Sequence, residues 1–358
     1  MLRALARVDL SAIEHNCRVL DRSAGDAALC AVVKGDGYGH GAVPAARAAL
    51  AGGATWLAVA TAREAAELRA AGLDARLLVL GALSSEELDL ALGADADVVA
   101  WTPAFCDAVA ARGGGRVHVK LDTGLGRLGT RDPGEATALV ERLGRPAGLM
   151  THFATADDRD DPFLDEQLDR FLAWARPYRD RDPSLVLHAA NSAGTLRAPR
   201  AHLDLVRCGI AIYGLDPFGA DPAGEGLRPA LTLESYVAAV KPIAPGQSAG
   251  YGRRFVADRE TVIGTIPIGY ADGVRRGLTN NAEVLVGGRR RPLVGTVSMD
   301  NVTVDLGPGA DVPVGAPAVL IGAQGGERVL AEEWARRLDT INYEVTCAIS
   351  ARVPREHA

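Results

Sequence analysis

Lys34 stands at the end of an apolar run, Leu29–Val33, and is followed by glycines at 35, 37, 39 and 41 with Tyr38 between them. A strand that ends in lysine before a glycine-rich turn sets an amine at the mouth of a pocket. Burial penalises the ammonium form, and a neutral amine is what Schiff-base chemistry with an aldehyde or ketone requires. Taken alone, the segment also reads as a strand ending in a solvated lysine before a flexible loop. Other apolar runs close on polar residues as well: Lys120, His152, Asn191 and Ser192, with Arg207 inside the last run. Asn191-Ser192-Ala-Gly has the composition of a capped helix start, and Gly209-Ile210 follows Arg207 in a second turn. Backbone N–H groups in two such turns can hold an anion.

The elements that must position these groups alternate along the first part of the chain. Eight apolar runs (29–33, 56–60, 77–80, 98–101, 117–121, 148–152, 185–189 and 206–212) are separated by Ala-rich stretches of helical period. Helices are expected at 62–71, 85–92, 103–112, 134–143 and 163–176, with cap signals at Ser84, Ser85 and Asp132-Pro133. Eight strands alternating with helices predict an α/β fold of the (β/α)8 TIM-like barrel type, with a doubly wound open sheet as the competing arrangement. The texture changes at Leu215–Pro229, a Pro- and Gly-rich linker. Strand-like stretches follow, with one helix at Ala331–Leu338 and a last strand at Val345–Val353. The expected organisation is a barrel over residues 1–226 and a mostly-β domain over 227–358. In a barrel, residues at strand C-termini line the active face, and the loops after strands seven and eight hold phosphate. A lysine facing that cradle fits a cofactor carrying an aldehyde and a phosphate, which is pyridoxal 5′-phosphate.

Composition narrows the class. The chain has 358 residues, 48% of them apolar and 23% charged, enough for a sizeable core. A net charge of −6 speaks against a nucleic-acid or membrane-surface partner. No apolar stretch approaches a membrane span, and Arg3, Arg7 and Asp9 interrupt any signal-peptide core. Five cysteines (17, 30, 106, 208 and 347) are scattered, odd in number and free of CxxC spacing, which predicts reduced thiols, no metal site and a cytoplasmic location.

Several segments together give a family resemblance. They are Ala31-Val-Val-Lys34-Gly-Asp-Gly-Tyr38-Gly-His-Gly41, Lys120-Leu-Asp-Thr-Gly-Leu-Gly-Arg127, Thr151-His152-Phe-Ala-Thr-Ala-Asp157 and Ala190-Asn191-Ser192. Further on come Val206-Arg207-Cys-Gly209-Ile210, Tyr251-Gly252, Gly264 to Gly273, Ser298-Met299-Asp300 and Thr340-Ile-Asn-Tyr343-Glu. In this order the chain resembles the alanine racemases, pyridoxal-phosphate enzymes with a barrel and a β-domain. The resemblance implies racemisation of L- and D-alanine by two bases, with the D-alanine serving peptidoglycan.

By that resemblance Lys34 is the lysine bound to the cofactor, and Tyr38, Ser192, Gly209, Ile210 and Tyr343 contact its phosphate. His152 and Asn191 belong to the same cofactor pocket. Arg207 matches the arginine at the pyridine nitrogen; a guanidinium accepts no proton, so the ring nitrogen stays largely unprotonated and side reactions are restrained. Decarboxylase relatives carry a carboxylate there. Arg127 and the Met299 N–H match the groups that hold the substrate carboxylate. One base serves one face of the α-carbon, so Lys34 needs an opposite partner, and Tyr251 matches it. A phenol, with an ordinary pKa of about 10, is a weak base at neutral pH and needs cationic help, which His152 and Arg207 would give. In this family the tyrosine comes from the partner subunit, so a homodimer is implied. Lys120 is either paired with a carboxylate or carbamylated to orient Arg127, and His188 is either a core histidine or a partner of Arg207. Gly35 and Gly37 stand where the family often has alanine, which predicts a looser loop, and Thr296 where an arginine often lines the entrance. A broader amino-acid racemase and a non-catalytic, single-barrel cofactor binder are the competing readings; the second domain argues against the latter.

Overall fold

The computed structural model describes residues 2–358 and divides into two compact units. One comprises Ile13–Phe218 with Glu225–Leu227; the other comprises the segment ending at Ala12, Gly219–Gly224 and Arg228–Ala358. Strand β1 (Leu5–Val8) belongs to the second unit.

The first unit is the expected barrel. Its strands are β2 (Ala28–Val32), β3 (Trp56–Val59), β4 (Arg76–Val79), β5 (Ala96–Ala100), β6 (Val117–Lys120), β7 (Gly148–Met150), β8 (Val186–His188) and β9 (Leu205–Cys208). They run parallel in the order β8-β7-β6-β5-β4-β3-β2-β9. The seam between β8 and β9 is bridged by Asp204 N–H donating to Leu187 O (3.1 Å) and Arg207 N–H donating to Ala190 O (2.9 Å). The sheet is therefore a nearly closed barrel rather than an open one. β3, β5 and β6 are buried at every position; β3 reads as a continuous apolar run, while β5 and β6 carry Asp97, His118 and Lys120 as buried polar residues. Helix starts follow their caps: Thr61 with Glu64 and Ser84 with Glu87 form reciprocal boxes, and Asp132 precedes Pro133.

The second unit is mostly β. Its strands are β10 (Leu231–Tyr236), β11 (Ala239–Ile243), β12 (Ser248–Ala249), β13 (Phe255–Val256), β14 (Thr261–Ile266), β15 (Glu283–Val286), β16 (Arg289–Pro292), β17 (Val302–Gly307), β18 (Pro317–Gln324), β19 (Glu327–Val329) and β20 (Arg355–His357). The largest sheet has the order β16-β15-β18-β10-β1-β20, with β19 on β18; a second holds β11-β14-β17 and a third β12-β13.

Two expectations are corrected. Residues 1–226 do not all group with the barrel: β1 pairs antiparallel with β10 (Leu5 opposite Glu234) and parallel with β20 (Ala6 opposite Arg355). The strand expected over 345–353 is instead a helix, Asn342–Cys347, followed by turns. Val345 and Thr346 are buried in that helix, so packing overrides their β-branched preference.

Candidate active site

Lys34 follows β2 directly and opens a turn of left-handed backbone. Gly35, Asp36, Gly37 and Tyr38 have φ of +61°, +51°, +61° and +54°. The turn is hydrogen-bonded, Gly37 N–H to Val33 O (2.9 Å) and Gly39 N–H to Gly35 O (3.1 Å). Left-handed backbone costs roughly 1–2 kcal/mol at each non-glycine residue. The surroundings hold it in place. Asp36 Oδ1 accepts from Ala42 N–H (2.9 Å), and Glu64 Oε1 accepts from Gly35 N–H (2.7 Å). His40 Nδ1–H faces the Gly37 and Tyr38 carbonyls (3.0 and 3.1 Å), and both Tyr38 and His40 pack on the Tyr213 ring. The expected loosening by Gly35 and Gly37 is thus corrected: both occupy conformations that glycine alone adopts without strain.

Tyr38 is buried, and its hydroxyl lies against the α-carbon of Gly209, where any β-carbon would collide with it. Ser192 Oγ accepts from the N–H groups of Gly209 (2.9 Å) and Ala211 (3.3 Å), which ties the turn after β9 to the helix Ser192–Arg197. Asn191 caps that helix, its Oδ1 accepting from Gly194 N–H (2.9 Å). Ile210 begins the next turn, Ile210–Tyr213. Tyr38, Ser192, Gly209 and Ile210 therefore form one cluster where the strands end. First-turn N–H groups have no acceptor within a helix, so this cluster suits an anion.

Arg207 is buried on β9. It donates from Nη1 to His188 Nδ1 (2.9 Å) and from Nη2 to the carbonyls of Thr151 and Ala189 (2.9 Å each) and to His152 Nδ1 (3.0 Å). Burial pushes its pKa down to about 10, so it stays cationic at neutral pH. A guanidinium cannot accept, so both Nδ1 atoms are bare. Burial, then the Arg207 charge, pushes His152 and His188 well below the usual histidine range. His152 is accordingly a neutral imidazole, not the cation expected of it. His188 is settled as a partner of Arg207. The sequence reading missed two groups beyond it, His118 and Asp97. The signal for His118 was its place two residues before Lys120 on one strand, which turns both to the same side.

Lys120 is buried on β6, and among the described residues no carboxylate lies within ion-pair distance of it. Burial, Arg207 and Arg127 together push its pKa down to about 8. Arg127 is exposed on the loop after β6.

Tyr251, Met299 and Tyr343 lie on the second unit. Tyr251 is 75% exposed, between Gly250 and Gly252 at φ of +75° and +68°. Thr296 Oγ1–H donates to the Tyr251 carbonyl (2.7 Å) and so anchors the tyrosine backbone. A cleft of about 350 Å³ is lined by Tyr251, Thr296, Ser298, Asn301 and Thr303. Met299 is exposed, and Gly269 lets the loop after β14 pack on the Ser298 and Met299 carbonyls, where a β-carbon would collide. Tyr343 is half-buried in the helix Asn342–Cys347.

Two family descriptions match in tandem: alanine racemase, N-terminal domain, over residues 8–217, and alanine racemase, C-terminal domain, over residues 230–357. An alanine racemase of Frankia casuarinae is 44% identical over 373 residues, covering 99% of this chain and 96% of its own. One from Thermobifida fusca is 45% identical over 367 residues, covering 98% of this chain and 97% of its own. The crystal structure of alanine racemase from D-cycloserine-producing Streptomyces lavendulae matches with a TM-score of 0.93 at 39% identity, over 100% of this chain and 97% of that one. With both halves matched in order and the fold shared along its whole length, the chain belongs to the alanine racemase family and is an isomerase of that kind.

Proposed function

We propose that this protein interconverts L- and D-alanine with pyridoxal 5′-phosphate, in the cytoplasm, and that the D-alanine serves peptidoglycan synthesis. The observation that carries the reading is Arg207: a buried cation whose Nε–H and second Nη1–H are left over after its four contacts. Such a donor fits the bare nitrogen of a pyridine ring. The anion cluster supports the same cofactor, because the missing β-carbon of Gly209 lets the Tyr38 hydroxyl close on the turn after β9. Lys34 would hold the aldehyde carbon; Tyr38, Ser192, Gly209, Ile210 and Tyr343 would hold the phosphate, with His152 and Asn191 bounding the pocket. When bound, the cofactor draws electron density from the α-carbon of an amino acid and loosens its proton.

The rest falls to the chain. Arg127 and the Met299 N–H hold the substrate carboxylate. The Lys34 amine takes or gives the α-proton on one face, and the Tyr251 phenol does the reverse on the other. Each turnover in one direction leaves the two bases with exchanged protonation, ready for the reverse. Neutral His152, its Nδ1 held by Arg207, would present Nε2–H as a donor to the Tyr251 phenolate oxygen without adding a charge of its own. In this reading Tyr251 is supplied by a second copy of the chain, making the active unit a homodimer. Lys120, buried without a carboxylate and with a pKa of about 8, suits carbamylation, which would give Arg127 an anionic partner.

The test uses two inactive variants. Lys34→Ala should no longer be joined to the cofactor by borohydride, and Tyr251→Phe should keep that labelling; neither should racemise alanine. Mixing them with subunit exchange should restore part of the activity, since one site of the mixed dimer recovers both bases. Borohydride labelling of another lysine in the wild type, or no turnover of either alanine enantiomer, would refute the reading.

A further inference from the structure

Behind Arg207 a file of polar groups crosses the barrel interior. His188 Nε2 lies 2.8 Å from His118 Nδ1, and His118 Nε2 lies 2.9 Å from Asp97 Oδ2. All three side chains are fully buried. They come from β8, β6 and β5, and join the substrate end of the barrel to its opposite rim. There Arg76 and Arg116 close on Asp97, with Arg76 Nη2 to Oδ2 at 2.8 Å and Arg116 Nε to Oδ1 at 2.5 Å.

The direction of each hydrogen bond is forced. Arg207 only donates, so His188 Nδ1 accepts and its proton sits on Nε2. That proton is given to His118 Nδ1, so His118 in turn carries its proton on Nε2. Asp97 accepts it: burial alone would raise this carboxyl, but the bonds from His118, Arg76 and Arg116 hold it at about 2, ionised. Four residues far apart in sequence thus form a one-way chain with a cation at one end and an anion at the other. The barrel is cut to hold it. A β-carbon at Gly148, the neighbour of His118 in the sheet, would collide with His118 Nδ1. Trp56 meets the His118 ring edge-on (centroids 6.0 Å, 82°) and carries the Arg76 guanidinium on its face (4.0 Å).

We propose that Asp97 and His118 are positioning residues that act through His188 to fix the tautomers around Arg207, holding its guanidinium in the one orientation that leaves N–H donors for the cofactor's ring nitrogen. Asp97, its own charge met by Arg76 and Arg116, supplies the terminal acceptor that sets the direction of the chain without touching Arg207. A carboxylate in direct contact would rotate or neutralise the guanidinium; one relayed through two neutral imidazoles orders their protons and leaves the guanidinium in place. What Arg207 faces rests on the function proposed above, whereas the tautomer chain is a property of these residues alone.

The chain can be read in the wild-type protein without any variant. Long-range ¹H–¹⁵N spectra of histidine-labelled protein, with and without pyridoxal 5′-phosphate, should show His118, His152 and His188 as neutral Nε2–H tautomers from pH 6 to 9. An Nδ1–H form of His118 or His188, or titration of either within that range, overturns the proposal. Two substitutions then test its consequence. His118→Phe should lower kcat for alanine about tenfold, as loss of outer partners of a charged centre does, with KM changed less than about threefold. It should also shift the absorption band of the bound cofactor. Asp97→Asn keeps an acceptor oxygen for His118 and should fall between wild type and His118→Phe in both readouts. Variants with lowered Tm but wild-type absorption and kcat make the relay merely structural and refute it. A wild type that shows the tautomer chain yet takes up no pyridoxal 5′-phosphate counts against the proposed function and not against the chain.

Discussion

Arg207 is a buried cation whose direct partners, two imidazoles and two carbonyls, are all neutral. An unpaired buried charge is costly, and here part of the cost appears as a pH dependence of stability. His118, His152 and His188 have folded pKa values below the ordinary histidine value of 6.5, through burial first. Below that pH the unfolded chain binds protons that the folded chain refuses. Stability is therefore greatest above about pH 6.5 and falls as pH drops through it, by about 1.4 kcal/mol per pH unit for each histidine. Denaturant titrations of the cofactor-free protein between pH 5 and 7 should show that slope, less one histidine's share in His152→Gln. A flat profile would mean that the imidazoles titrate normally in the fold. At this scale the sequence was legible where residues sit in one continuous motif. Lys34 with Tyr38, Asn191 with Ser192, and Arg207 with Gly209 are such cases. His118 and Asp97 were not legible, because their meaning depends on β5, β6 and β8 lying side by side.

The strands and helices of the barrel were readable from apolar runs and caps, since eight buried parallel strands leave eight blocks that chain chemistry marks at both ends. What the pattern does not carry is handedness within a loop. Glycines at 35 and 37 announce freedom, and the structure uses it for a hydrogen-bonded left-handed turn that seats Tyr38. β1 escaped notice for another reason: four residues, Leu-Ala-Arg-Val, are too short to stand out from the helix that follows. The contact between the Lys34 turn and the turn after β9 is tight enough to test. Gly209→Ala would push its methyl group into the Tyr38 hydroxyl. Overpacking of this kind costs typically about 1–3 kcal/mol, and displacing Tyr38 should weaken pyridoxal 5′-phosphate binding about tenfold or more. Fluorescence titration of the cofactor-free variant measures this, and an unchanged Kd would show that Tyr38 has no part in binding.

Across the whole molecule, the order of the chain and the order of the fold disagree at one place. β1 sits between β10 and β20, with Arg7 reaching Glu234 and Glu356 across the two pairings (2.6 Å each). During synthesis β1 thus has no seat until residues more than two hundred positions later exist, and its other neighbour, β20, comes later still. Closing so long a loop is slow, and the waiting partner strands present unpaired edges meanwhile. A fragment of residues 228–358 should accordingly aggregate when produced alone, and a peptide of residues 1–12 should restore soluble material with native β-sheet circular dichroism. A soluble, cooperatively folding fragment without the peptide would contradict this. If it holds, the β-rich unit matures only once β20 has been made, and changes at β1 will damage the strands that lie farthest from it in sequence.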